Sequence, residues 1–281
     1  QTTFDGSFTI SLWVKPDDGN PDVLRFVFGA NNSGSEDLVF LHILTTGEIT
    51  FSYASNTTLV TAQTSSAVFS DGPTAWTHVA LVAPGTGNNQ LIYINGNPVS
   101  VTIVGGTIPE MSTWESSDEV FIGATNNDGT AEGHFAGYID EFRIWNDVRT
   151  AAEILANYKR SITNPYAESS LKLYLRMNNG PGSIAFDHSS SMAHGTLNNM
   201  DDVDWVTGIP ELWGPVFAVN LVSDRTALRE GDYNDKYIRL SGGFLAPREN
   251  WAITQDRIGW LSGFSQGSES ITIVWNKQFV D

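Results

Sequence analysis

The 281-residue chain carries 15 Lys and Arg against 32 Asp and Glu, a formal net charge of −17. That sign repels phosphate backbones and anionic membrane surfaces, so it argues against nucleic acid as a partner, while it favours solubility and supplies hard oxygen ligands for divalent cations. With no cysteine there is neither a disulfide scaffold nor a thiolate metal site, and no apolar run reaches the length of a membrane span. The chain opens on Gln1 without a signal-peptide pattern, as expected of a processed product or a segment of something longer.

The first strand expected is Phe8–Val14, where Phe8, Ile10, Leu12 and Val14 alternate with Thr9, Ser11 and Trp13. Runs of strand composition follow at Val23–Phe28, Leu38–Ile43, Glu48–Tyr53 and Trp76–Val82, each bounded by Gly, Asn, Asp, Pro or Ser. Leu91–Ile103 reads as two strands around Asn95-Gly96, a pair that tolerates the positive φ angles of a tight hairpin. Val120–Ile122 and Tyr138–Trp145 add two more, separated by the polar loop Thr125–Gly133. Such spacing predicts an all-β fold.

Thr150-Ala-Ala-Glu153 is a capping box ahead of Ile154 and Leu155, and Asn164-Pro165 keeps the helix short. Leu171–Met177 is read as a strand followed by a polar extension. From Trp213 onward the pattern changes to Val216–Val222, Tyr237–Leu240 and Ile271–Trp275 with irregular stretches between them. The expected organisation is a sandwich over residues 1–160, an ordered extension over 161–212 and a small β-rich module over 213–281.

Three blocks in order carry a resemblance: Phe8–Pro16; Trp76–Val82 with Ile92–Pro98; and Gly137–Asn146 with Arg149–Ile154. Together they resemble the laminin-G and pentraxin-like members of the concanavalin A-like lectin fold. The resemblance implies a two-sheet antiparallel jelly-roll sandwich, commonly binding a glycan or a surface protein, often with calcium; the short helix and the C-terminal β-rich extension are read from the residues themselves. The Thr125–Gly133 loop lies where pentraxins place a calcium loop, and Glu36 and Asp37 lie where they carry a second ligand pair. Carried over, Glu36, Asp37, Asn126, Asn127, Asp128 and Glu132 are the implied calcium ligands.

Read from the residues alone, Asn-Asn-Asp-Gly offers carboxylate, amide and backbone oxygens in one tight turn, as calcium requires. The same residues are what any solvated hairpin loop prefers. Asp140 poses a related choice. Alternation puts Tyr138, Phe142 and Ile144 toward the core and Asp140 in the same row, where either backbone amides or a metal must hold the carboxylate. Glu141 and Arg143, on the opposite face, are expected to form a surface pair. Trp13, Trp76 and Trp145 are expected in packing, whereas Trp114, in a polar loop, is the candidate stacking platform for a sugar.

Enzyme signatures fail. Gly263-Phe-Ser-Gln-Gly267 fits a nucleophile elbow, but no His follows it in the chain. Glu230–Asp235 approaches a glycosidase carboxylate motif but ends in Asp and lies beyond the expected sandwich. The sequence therefore points to a non-catalytic recognition or adhesion domain acting extracellularly, at a cell surface or on a virion. The alternatives are a structural decoration, fibre or appendage subunit within a larger surface assembly or homo-oligomer, and a glycoside hydrolase.

Overall fold

A computed structural model of the chain describes residues 4, 6–32, 37–55, 58–110, 119–127, 130–178, 182–200, 202–206 and 208–209, and short strand segments beyond them. Side chains at 31, 32, 119, 126, 127, 130 and 202, and in those later strands, lie outside the description. In chain order the elements are β1 (Phe8–Pro16), β2 (Arg25–Asn32), β3 (Asp37–Ile43), β4 (Ile49–Ser55), β5 (Thr58–Thr64), β6 (Thr77–Ala83), β7 (Leu91–Ile94), β8 (Asn97–Pro98) and β9 (Val101–Val104). There follow β10 (Glu119–Ile122), β11 (Thr125–Asn127), β12 (Thr130–Glu132), β13 (Gly137–Trp145), α1 (Ala151–Asn157), β14 (Leu171–Leu175), β15 (Ile184–Ala185) and β16 (Gly195–Thr196).

Two antiparallel six-stranded sheets form the sandwich: β14-β13-β1-β6-β7-β8 and β10-β2-β3-β4-β5-β9. The alternation read from Phe8–Val14 holds, because Phe8, Ile10, Leu12 and Val14 are all buried in the layer between the sheets. They meet Val39, Leu41 and Ile43 of β3 and Ile49, Phe51 and Tyr53 of β4 in one apolar cluster. Phe8 and Tyr53 lie 5.5 Å apart, ring to ring, and Phe28 and Phe142 lie 5.6 Å apart, each pair bridging the two sheets. Aromatic pairs of this kind contribute beyond the area they bury.

The chain divides into two compact units, Gln1–Tyr158 with Pro165–Pro210, and Lys159–Asn164 with Glu211–Asp281. In the second, Val216–Asn220 pairs with Ser270–Val274 and Tyr237–Arg239 with Asn250–Ala252, all antiparallel. No helix among the described residues is long and apolar enough to cross a membrane.

Local chemistry explains the connections. Asn95 and Gly96 both take positive φ, 49° and 81°, at the turn between β7 and β8. Gly96 is required twice over, since a Cβ there would fall 2.8 Å from the Tyr158 ring. The capping box forms as read: Glu153 N donates to Thr150 Oγ1 at 3.3 Å, and Thr150 N donates to Glu153 Oε2 at 2.8 Å.

Strand β13 departs from the sequence expectation. Ser11 of β1 faces Arg143 and Trp13 faces Asp140, so two residues of β13 oppose Leu12 alone; the extra residue, Glu141, has φ of 52°. This is a β-bulge, and it shifts the alternation by one place. Before it, Ile139 packs against the core while Tyr138 and Asp140 share the outer face with Lys15 and Trp13; after it, Phe142 and Ile144 face inward. Tyr138 and Asp140 are therefore not in the core-facing row.

The expected surface pair is overturned as well. Glu141 and Arg143 are 1% and 3% exposed, and their side chains bond at 2.6 Å. Tyr174 of β14 donates its hydroxyl to the same Glu141 oxygen, and its ring lies 4.9 Å from the guanidinium. Burial, and after it the Glu141 charge, raise the Tyr174 phenol above its ordinary value, so it stays protonated and donates.

Substituting Glu141→Gln removes the counter-charge of a buried guanidinium, so the unfolding free energy in a denaturant titration should fall by about 3–5 kcal/mol. Three imidazoles, His42 and His78 buried and His188 half-buried, give a pH signature. Burial lowers His78 to about 3, with Arg143 adding to the effect, and lowers His42 and His188 to about 4. Each is neutral when folded and binds a proton on unfolding below about 6.5, so stability is lost as pH falls from about 6.5 toward 3–4. Thermal unfolding followed from pH 7 to pH 4 should show His78→Gln losing less stability than the parent, by up to about 1.4 kcal/mol per pH unit.

Candidate functional site

The outer face of the first sheet is covered over Trp13, His78, Ala80, Val82 and Tyr93, while Lys15, Trp76 and Tyr138 at its other end stay half-buried. Ile154 of α1 packs on Ala80, Val82 and Tyr93. Beyond the helix, the Tyr158 ring stacks on Trp13, whose indole N–H donates to the Tyr158 carbonyl at 3.0 Å. His78, opposite Trp13 in the register, is buried beside the same ring.

The outer face of the second sheet is different. Its register lines up two rows across the strands, Phe121, Gly29, Phe40, Ser52, Thr61 and Val104 in one, Phe26, His42, Thr50, Gln63 and Thr102 in the other. Phe26, Phe40, Phe121, Thr61 and Gln63 are half-buried, and Thr102 and Val104 are exposed. Apolar rings therefore lie at one end of each row and hydroxyl and amide groups toward the other, with Val104 closing the first row.

Phe26, Phe40 and His42 form a compact trio, with His42 5.3 Å from Phe26 and 5.5 Å from Phe40. Burial lowers the His42 imidazole to about 4, so it is neutral at ordinary pH, and its Nδ1 has no hydrogen-bond partner among the described residues. Ser52 and Thr50 are buried between larger neighbours. Ser52 Oγ bonds Thr61 Oγ1 at 2.9 Å and fixes that hydroxyl in place.

The β11–β12 hairpin walls the β2 side of this face. A Cβ on Gly29 would fall 2.6 Å from Thr125 Oγ1 and 2.8 Å from Thr125 Cα, so the glycine admits the hairpin against the sheet. Phe26 N donates to Gly133 O at 2.9 Å, and the Phe26 ring fills the space a side chain at Gly133 would need. The sheet as floor and the hairpin as its one described wall make a one-sided groove with an aromatic side and a hydroxyl and amide side.

Of the residues expected to bind calcium, Asp37, Glu132 and Asp140 have described side chains. Glu36, Asp128 and Trp114 lie outside the described residues, as do the side chains of Asn126 and Asn127 on β11. Asp37 begins β3, fully buried in the row of Val39 and Leu41, and Glu132 is exposed on β12 opposite Thr125. Asp140 belongs to the other sheet, where its Oδ1 accepts the Glu141 amide at 2.7 Å, a contact of the amide-held kind. Among the described residues no group of three or more His, Asp or Glu is placed to hold a metal ion.

The groove residues were not singled out from the sequence. One signal was there: Leu38-Val-Phe-Leu41 is apolar at four consecutive positions, which a strand solvated on one face does not need.

Several solved structures align with part of the chain. A candidate carbohydrate-binding protein from Bacteroides ovatus aligns at 19% identity and a TM-score of 0.49, over 69% of this chain and 52% of that one, so this chain spans about half the length of that protein. A heptameric SAP-like pentraxin from Limulus polyphemus aligns at 17% identity and 0.42, over 53% of this chain and 68% of that one. The CBM40 of a Ruminococcus gnavus IT-sialidase, bound to α2,3-sialyllactose, aligns at 20% identity and 0.42, over 54% and 81%. No curated protein sequence matches. A family model, Laminin_G_3, does match residues 1–155, the span that builds the two sheets up to α1, and the chain therefore belongs to that family of the concanavalin A-like lectin/glucanases superfamily.

Proposed function

We propose that this chain is a non-catalytic glycan-recognition module acting outside the cytoplasm, with the groove on the second sheet as its binding face. The observation that carries this reading is the juxtaposition of the Phe26, Phe40 and His42 rings with Thr61, Gln63 and Thr102 on one sheet face. A sugar ring presents an apolar C–H face and a hydroxyl edge, and it needs an aromatic surface and a set of donors and acceptors side by side. Family membership agrees with this role. Hydrolysis of a glycosidic bond would need two carboxylates flanking the scissile bond, and the described positions of the two rows contribute none.

Calcium is a separate part of the proposal. Asp37 and Glu132 are the members of the implied ligand set whose side chains are described beside the groove strands, and two carboxylates fall short of the six to eight oxygens calcium takes. A calcium contribution therefore rests on the Asn126–Asp128 segment and Glu36. Thermal unfolding in millimolar calcium checks it, and an unchanged melting temperature removes the metal from the reading.

A second reading, a structural subunit of a surface assembly, draws support from the exposed Phe186, Met192 and Val203 side chains, which are 46%, 59% and 82% accessible. A glycan array run with and without chelator separates the two. Under the glycan reading Phe40→Ala should weaken binding by roughly tenfold or more, equivalent to about 1.4 kcal/mol, with little change in melting temperature. Binding that survives the substitution moves the site elsewhere, and an array with no bound glycan favours the structural reading.

A further inference from the structure

The groove lies within a stretch of sequence with an uneven charge pattern. From Phe26 to Phe142 there is not one Lys or Arg, whereas the same stretch holds twelve Asp and Glu. This stretch supplies the whole second sheet beyond Arg25, the β11–β12 hairpin and every connection between them. No loop around the groove that comes from it can bring a cation to a ligand.

The groove itself follows the same pattern. Its described floor is made of Phe26, Phe40, Thr61, Gln63, Thr102 and Val104, all uncharged. His42 beneath them is neutral. Glu132 stands exposed on the wall. The one guanidinium on these strands, that of Arg25 at the start of β2, donates to the His134 carbonyl at 3.0 Å. It lines a small cleft together with Asp18 and Asp22, away from the two rows of the groove.

We infer, on the reading that the groove binds glycans, that its ligands are uncharged and that it excludes sialylated, uronate-containing and sulfated glycans. A carboxylate or sulfate entering this groove would give up water with no cation to replace it, and would do so in the field of a chain with net charge −17. A neutral sugar gives up only hydroxyl hydration, which Thr61, Gln63 and Thr102 can replace, while Phe40 covers its apolar face. A cationic ligand gains from the acidic surroundings but finds no carboxylate among the described floor residues.

The test pairs each neutral oligosaccharide with its acidic counterpart, for example lactose with sialyllactose and a xylo-oligosaccharide with its glucuronate-bearing form. Binding to the whole chain is measured by calorimetry at low salt and again at 0.5 M sodium chloride. Neutral members alone should bind, with the added carboxylate weakening affinity by roughly tenfold or more at low salt and by less at high salt, where the repulsion is screened. Gln63→Arg, placed in the row between Thr50 and Thr102, should shift the preference toward the acidic member of each pair by a similar factor. Equal or tighter binding of an acidic glycan by the unaltered chain overturns the inference and leaves the glycan reading standing. Failure of every member of every pair to bind overturns both.

Discussion

The Arg143 guanidinium, buried between Glu141 and Tyr174, sits on the outer side of a sheet whose inner side is already the core. Such a network tolerates no water and no slack, because an ion taken out of solvent is stable only with its partners in place. It exists because the bulge at Glu141 lets β13 supply two residues where β1 supplies one. The bulge turns Phe142 and Ile144 into the core and leaves both charged side chains on the same outer surface. Tyr174 then closes the network from β14, tying the strand after the helix into the sheet formed by the strands before it.

Once this part of the first sheet is buried on both sides, the division of labour in the sandwich follows. The helix lies over Ala80, Val82 and Tyr93, Tyr158 covers Trp13 and His78, and the Gly96 turn leaves room for both Leu155 and Tyr158. That part of the surface is covered by the chain's own side chains. The second sheet keeps one face in the core and turns the other outward, where the β11–β12 hairpin flanks it instead of lying across it. Glycine at position 29 is the steric condition for that arrangement, since any side chain there would push Thr125 and the hairpin away.

Charge adds a second layer to the same arrangement. The cations Arg143, Arg149, Lys172 and Arg176 belong to β13 and the segments that follow it, where Arg143 and Arg149 are engaged with Glu141, Asp147, Glu153 and Glu168. The strands of the second sheet beyond Arg25 have only neutral and acidic residues. Both sheets build the core, but the buried ion network belongs to the first and the uncharged outer strip to the second, so a substitution on one outer face need not disturb the other.

Much of this was legible in the residues themselves. The Phe8–Val14 alternation, the Asn95-Gly96 turn and the Thr150–Glu153 capping box each depend on neighbours within a few positions, so sequence order alone determines them, and the three ordered blocks identified the sandwich. What could not be read was which way Tyr138 and Asp140 face, and that Tyr174 of a later strand would cover Glu141 and Arg143 on the outer face. A bulge is decided by the partner strand, and its single extra residue inverts the assignments on one side of it, here Tyr138 and Asp140, while Phe142 and Ile144 stay as counted. The groove was hidden for a related reason: Phe26, Phe40, Thr61 and Thr102 come from four strands, and only the register of the folded sheet makes them neighbours.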